Sequence, residues 1–244
     1  MYKEHPSFES VPDNTKIWRF MDLAKFCDLL EKGGLFFASP ASFKDPWEGY
    51  LPRKHYVQGS YEGLDVGAIN FQIKMSKETL PALIKRSIGV SCWHIGEYES
   101  EAFWKNYSER GIAIQTTFKK LKESFKNSKQ DIYIGKITYK DPDTDIVDVS
   151  NLFNHVLWKR KSFEYENEIR AVTHDSSAIV NDQSSILILN EGLNLEVDLD
   201  TLIETVYTTP FEEGQWFYDI VRDLIERYGF KFPCYKSKLM DFPF

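Results

Sequence analysis

Two periods alternate along the chain. Lys16–Phe20 (Lys-Ile-Trp-Arg-Phe) reads as a short strand, and Leu23, Phe26, Leu29 and Leu30 then recur at helical spacing, with Cys27 beside them. Asp22 is placed to cap that helix. Gly33-Gly34 is placed to stop it, and Leu35–Ala38 to open a second strand. Residues 39–49, with two prolines and a glycine, read as a loop. Residues 50–75 show no clear period. Ser76–Arg86 reads as a helix capped by its serine, Ile88–Trp93 as a buried strand and Glu99–Tyr107 as a helix. Gly111–Thr117 (strand), Lys119–Phe125 (helix), Asp131–Tyr139 (strand) and Val149–Trp158 (helix) follow. Ser185–Leu189 and Leu193–Val197 read as a hairpin turning at Asn190-Glu191-Gly192. Leu202–Thr208 is a further strand. Glu213–Tyr228 is the clearest helix, its stripe formed by Trp216, Ile220, Val221, Leu224, Ile225 and Tyr228, and Phe232–Tyr235 is a last strand.

Strands and helices thus mix without strict alternation, and no glycine-rich turn follows the first strand. That pattern excludes a Rossmann or P-loop design and predicts an α+β fold, a largely antiparallel or mixed sheet flanked by helices. Residues 1–15 are polar with two prolines and read as an N-terminal arm, leaving 16–244 as a single domain.

Composition narrows the classes. The 244 residues are 42% hydrophobic and 27% charged, with a net charge of −7. This is a globular balance without the general basic footprint of a duplex nucleic-acid binder. Three widely spaced cysteines (Cys27, Cys92, Cys234) argue against a disulfide framework or a zinc site, and point to a reducing cytoplasm. No stretch has the length of a membrane span.

The chemistry concentrates in Lys161–Arg170, Lys-Ser-Phe-Glu-Tyr-Glu-Asn-Glu-Ile-Arg. As a strand, it sets Glu164, Glu166, Glu168 and Arg170 on one face. Carboxylates about 7 Å apart repel by roughly 0.6 kcal/mol in water and about 2.4 kcal/mol at an effective dielectric of 20. A charged edge strand, or a helix with Glu166 and Arg170 one turn apart, accounts for the same pattern. Arg19, between Trp18 and Phe20, offers a rigid fork of donors to a phosphate or a ribose, or a partner to a structural carboxylate from the acidic tract. Asp45 and Glu48 flank Pro46-Trp47 and suit either a cation or a helix cap. Ser91-Cys92-Trp93-His94 closes a strand. Cys92 and His94 share a face without a base-to-nucleophile geometry, so Cys92 reads as a buried thiol and His94 as a pH-sensitive group. Trp104 and Tyr107 suit the lining of the same cleft or plain core packing. The five histidines are scattered, and no metal is expected; a carboxylate-only magnesium site is the open alternative.

These pieces stand in a familiar order. Ile-Trp-Arg-Phe, Gly-Leu-Phe-Phe, Phe-Lys-Asp-Pro-Trp-Glu-Gly, Val-Ser-Cys-Trp-His, Glu-Ala-Phe-Trp-Lys-Asn-Tyr, Gly-Ile-Ala-Ile and Phe-Glu-Tyr-Glu-Asn-Glu-Ile-Arg together span about Ile17 to Leu239. The ordered set resembles a bacterial domain family of unknown function, family 2971 (DUF2971). More distantly, Arg19, Ser91 and Glu166-Asn167-Glu168 resemble the ordered site residues of the ADP-ribosyltransferase superfamily. That resemblance implies NAD as substrate and a protein or nucleic acid as acceptor. Arg19 would grip the phosphate or ribose of NAD, and Ser91, with Trp93 nearby, would orient the nicotinamide ribose. Glu168 would stabilise the oxocarbenium-like transition state, and Glu166 would position the acceptor. Two other readings stand beside it: a non-catalytic sensor or interaction module, with Arg19 and Arg170 neutralising Glu166 and Glu168, and a metal-dependent nuclease using Asp45, Glu48 and Glu168.

Overall fold

The computed structural model describes residues 1–56, 68, 74–107, 111–175, 192–211 and 215–243. Its strands are β1 (Lys16–Asp22), β2 (Gly34–Ala38), β3 (Ile88–Ile95), β4 (Gly111–Thr117), β5 (Ile132–Lys136), β6 (Thr138–Lys140), β7 (Trp158–Arg160), β8 (Glu168–His174), β9 (Gly192–Glu196), β10 (Thr205–Thr208) and β11 (Cys234–Lys236). Its helices are α1 (Leu23–Lys32), α2 (Leu80–Ser87), α3 (Glu101–Tyr107), α4 (Phe118–Ser124), α5 (Leu199–Leu202) and α6 (Gln215–Arg227). The expected α+β class, with a mixed, mainly antiparallel sheet and flanking helices, is what the structure shows. Among the described residues, no helix is long and apolar enough to cross a membrane.

Most boundaries follow from local chemistry. The Asp22 side chain accepts from the Lys25 N–H and caps α1, and Gly33 ends that helix at φ 54°. Thr117 caps α4 in the same way. Other expectations are corrected. Ser76 lies inside a wide helical turn, Met75–Thr79, that runs into α2, not at the cap position expected of it. The helix expected over 149–158 is a 3-10 turn at Leu152–Val156, because Trp158–Arg160 is drawn into parallel pairing with β6. Residues 199–202 form the short helix α5 under an Asp198 cap, which delays β10 to Thr205. On α6 the buried stripe is Phe217, Val221 and Ile225, whereas Trp216 is 56% and Ile220 41% exposed. The first half of the expected 185–197 hairpin lies outside the described residues, and the second half is β9, paired with β2.

The N-terminal segment docks on the sheet. Tyr2 bridges to Ile132 and Glu9 to Lys136, flanking β5, and Phe8 stacks on Tyr133. Gly135 permits this approach, since a Cβ there would lie 2.7 Å from the Cα of Phe8.

The sheet forks at β3. One edge of β3 carries β8 in full register, from Ile88↔His174 to His94↔Glu168. The other edge is shared. Its C-terminal end pairs with β1 (Ile17↔Ile95, Trp18↔His94), and its N-terminal end meets β2 at Ala38↔Val90. One branch continues β1–β4–β10–β11 and the other β2–β9. The largest apolar core fills the space between the branches. Ile17, Met21, Ile112 and Ile114 come from one branch, Leu35, Phe37 and Leu195 from the other, and Trp93, Ile169 and Ala171 line the shared stem. A second core under α2, with Ile84, Val90 and Val172, covers the opposite face of β3 and β8.

Candidate functional site

Register sorts the predicted site residues onto two faces. Adjacent residues of a strand point to opposite sides of the sheet. Ser91 and Trp93 share the inner face with Ile169 and Ala171, whereas Cys92 and His94 share the outer face with Arg170 and Glu168. Arg19 follows Trp18 on β1, so its side chain emerges with Ser91 on the inner face. The expected single hollow holding Arg19, Ser91 and Glu168 is therefore corrected: β3 stands between the two groups.

Arg19 occupies the crotch of the fork, where β1 parts from β3 and β2 takes its place. Its Nη1 donates to Ser91 Oγ and its Nη2 to the Phe36 carbonyl at 3.1 Å. The guanidinium lies 5.7 Å from the centroid of the Trp93 ring, whose Nε1–H also donates to Ser91 Oγ, at 3.1 Å. Among the described residues, no carboxylate lies within ion-pair distance of Arg19. Desolvation pulls its pKa down to about 10. The expected structural partner from the acidic tract is not there.

That partner serves Arg170 instead. Arg170 is fully buried and uses all five of its N–H donors. Nη1 and Nη2 grip the Glu48 carboxylate at 2.9 and 2.7 Å, Nε and Nη2 meet Glu168 at 2.7 and 3.2 Å, and Nη1 also donates to the Val156 carbonyl at 2.8 Å. Burial alone would depress the Arg170 pKa, yet Glu168 and Glu48 hold it well above the usual value. Glu168 is buried too. Burial pushes its carboxyl up, but Arg170 and Lys159 outweigh this and hold it below the ordinary range.

The acidic tract reaches this cluster by a route that alternation did not anticipate. Lys161–Glu166 is a 3-10 turn, and Asn167 adopts the left-handed region (φ 38°), its side-chain amide donating to the Ile95 carbonyl. Only from Glu168 onward is the tract a strand. Glu164 is exposed, while Glu166 folds back beside Glu168. Lys159 bridges the two, bonding Glu166 and lying 3.5 Å from Glu168. Tyr107 donates to Glu166 Oε1 at 2.9 Å, and His94 Nδ1 sits 2.7 Å from the Glu166 carbonyl oxygen. The Cys92 thiol is bonded to the Glu168 carboxylate, and burial, then Glu168, drives its pKa well up. A raised thiol pKa disfavours the thiolate that a nucleophile needs.

The remaining predicted residues have structural posts. Asp45 caps the Trp47 N–H at 3.1 Å and pairs with Arg160 at 2.8 Å, whereas the Glu48 carboxylate serves Arg170. Among the described residues, no group of three or more metal-ligating side chains assembles. Trp104 is fully buried and donates to Glu99 at 2.9 Å, which makes it core. Lys159, which stands in the basic run Lys159-Arg160-Lys161, is a member of the Glu166 and Glu168 cluster to which the motifs assign no role. Its position two residues before the tract was the available signal.

No protein-family profile matches the chain, and no curated protein matches it. The fold is similar to a solved structure of DarT from Thermus sp. 2.9 in complex with NAD+, at a TM-score of 0.38 and 8% identity, over 94% of this chain and 98% of that chain.

Proposed function

We propose that the fork is the ligand site of an NAD-binding, ADP-ribosyltransferase-like protein, with Arg19 as its anion-recognising group. One observation carries this reading: among the described residues, the half-buried Arg19 guanidinium is held by neutral acceptors alone, Ser91 Oγ and the Phe36 carbonyl. A planar guanidinium in that state gains most from a phosphate, which supplies the missing charge and a bidentate set of acceptors. Trp93 beneath it adds a ring wall. The sequence resemblance nominates NAD as the first phosphate ligand to test. Calorimetric titration with NAD, ADP-ribose and inorganic phosphate should show binding by the native chain and its loss in Arg19→Gln. Equal binding by the variant removes Arg19 from the site.

The same geometry favours binding without cleavage over transfer to a protein or nucleic-acid acceptor. Glu168, the carboxylate expected to stabilise an oxocarbenium ion, is engaged by Arg170 and Lys159 on the other face. On this reading Glu166 and Glu168 are scaffold, and the chain is a sensor of the nucleotide. The transferase reading is tested by nicotinamide release from NAD. Turnover that disappears in Glu168→Gln, while that variant keeps its fold and its NAD affinity, restores Glu168 as catalytic. No turnover in either protein supports the sensor.

A further inference from the structure

The loop that delivers Asp45 and Glu48 to their arginines also builds a surface that neither pairing uses. A cleft of about 220 Å³ lies there, lined by Pro46, Trp47, Tyr50, Leu51, Arg53 and Tyr56. Of the chain's six tryptophans, Trp18, Trp93, Trp104 and Trp158 donate their indole N–H to acceptors within the protein. Trp216 stands on an exposed helix face. Trp47 differs from all of these. It is half-buried in a cleft, and among the described residues its Nε1–H has no acceptor. An aromatic wall with a spare indole donor is built to receive a carbonyl.

The surrounding charges narrow the ligand. Lys85 lies 4.5 Å from the centroid of the Tyr50 ring and Lys77 5.6 Å from that of Tyr56. Arg53 and Arg160 lie 5.5 and 5.6 Å from the centroid of the Trp47 ring. Arg53 is answered by Asp143 and Arg160 by Asp45, each at 2.8 Å. Among the described residues, Lys77 and Lys85 have no carboxylate within ion-pair distance. The rim is therefore basic, in a chain whose net charge is −7. Each ring already carries a cation over a face, so open stacking platforms of the kind single-stranded nucleic acid needs are scarce. What remains is apolar floor, ring edges and one N–H.

We infer that this cleft binds a proline-rich segment of a partner protein in the polyproline II conformation, with acidic residues flanking the prolines. That helix has no internal hydrogen bonds, so every carbonyl is free to meet Trp47, and its stiffness lowers the entropy lost on docking. The acidic flank meets Lys77 and Lys85. The site is independent of the fork and of any NAD chemistry.

The test is a 15N spectrum of the full chain, in which Trp47→Phe identifies the Trp47 indole resonance by deleting it. Titration with a polyproline peptide flanked by Asp-Glu should shift that resonance saturably. Trp47→Phe, melting at the native temperature, should bind about fivefold more weakly, the loss of one net hydrogen bond. Lys85→Glu should reverse the preference in favour of a Lys-flanked peptide. The proposal is overturned if no polyproline peptide moves the Trp47 resonance, or if an alanine-for-proline peptide binds equally well. It is also overturned if oligothymidylate shifts that resonance at lower concentration than the peptide does.

Discussion

Arg19 and Arg170 stand on opposite sides of β3 and have opposite fates. Arg170 has spent every donor on two carboxylates and a carbonyl, and its charge is held so firmly that its pKa rises. Among the described residues Arg19 has no countercharge, and its pKa falls to about 10. Arg170 is fully buried and Arg19 half-buried, but it is the inventory of acceptors that sets their fates apart. A saturated arginine can only be lost, whereas an unanswered one has something to gain from a ligand.

The sharpest way to break this contrast is to delete each guanidinium in turn. Arg170→Ala strands Glu48 and Glu168 in the interior and should cost about 3–5 kcal/mol in urea unfolding. Arg19→Gln removes a charge that no described carboxylate balances and should stay within about 1 kcal/mol of the native chain. Equal losses would erase the distinction.

Acid provides the next test. The folded-state pKa of Glu168 lies below its unfolded value, so its stabilisation is complete above the unfolded value near 4.5. It is lost as pH falls through the folded pKa. The urea midpoint of the native chain should therefore drop on acidification below about pH 4.5. Glu168→Gln should start lower and show a flatter slope through that window. A parallel slope would mean that other carboxylates dominate.

A smaller effect probes the strand that carries Arg19. Asp22→Ala removes the cap of α1 and should cost about 1 kcal/mol, with Asp22→Asn recovering most of it. Ligand affinity at the fork should change less than in Arg19→Gln, because β1 is held on both edges. The smallest expected quantity is the coupling between the two arginines. A double-mutant cycle of Arg19→Gln with Arg170→Ala should give less than about 0.5 kcal/mol, since they share no partner. A larger value would join them into one network through Cys92, which lies between them.

The scaffold was legible where signals are local. The Asp22 cap, the Gly33 stop and the apolar run of β3 need only neighbours in sequence. Glu168 and Arg170 were also correctly placed on one face, because two residues of one strand suffice to say so. What stayed hidden depends on register between distant strands. Nothing within Trp-Arg-Phe says that Arg19 shares a face with Ser91; that requires the pairing Trp18↔His94 together with alternation along β3. Glu48 lies 122 positions from Arg170, and its grip on that side chain is invisible to any periodicity. Asn167 broke the expected alternation because an asparagine accepts the left-handed region at little cost, which turns Glu166 back toward Glu168. On α6, Trp216 and Phe217 differ by one step around the helix, and only the docked orientation selects the phenylalanine.

The shared edge of β3 also bears on how the chain acquires its shape. The ladders that define the fork join Trp18 to His94 and Ala38 to Val90, so long loops must close before either ladder is rewarded. Such separations belong to the slow end of folding rates. The β10–α6–β11 unit, by contrast, brings Val206 beside Cys234 across a single helix. Pulse-labelled hydrogen exchange should find protection there before the fork has closed.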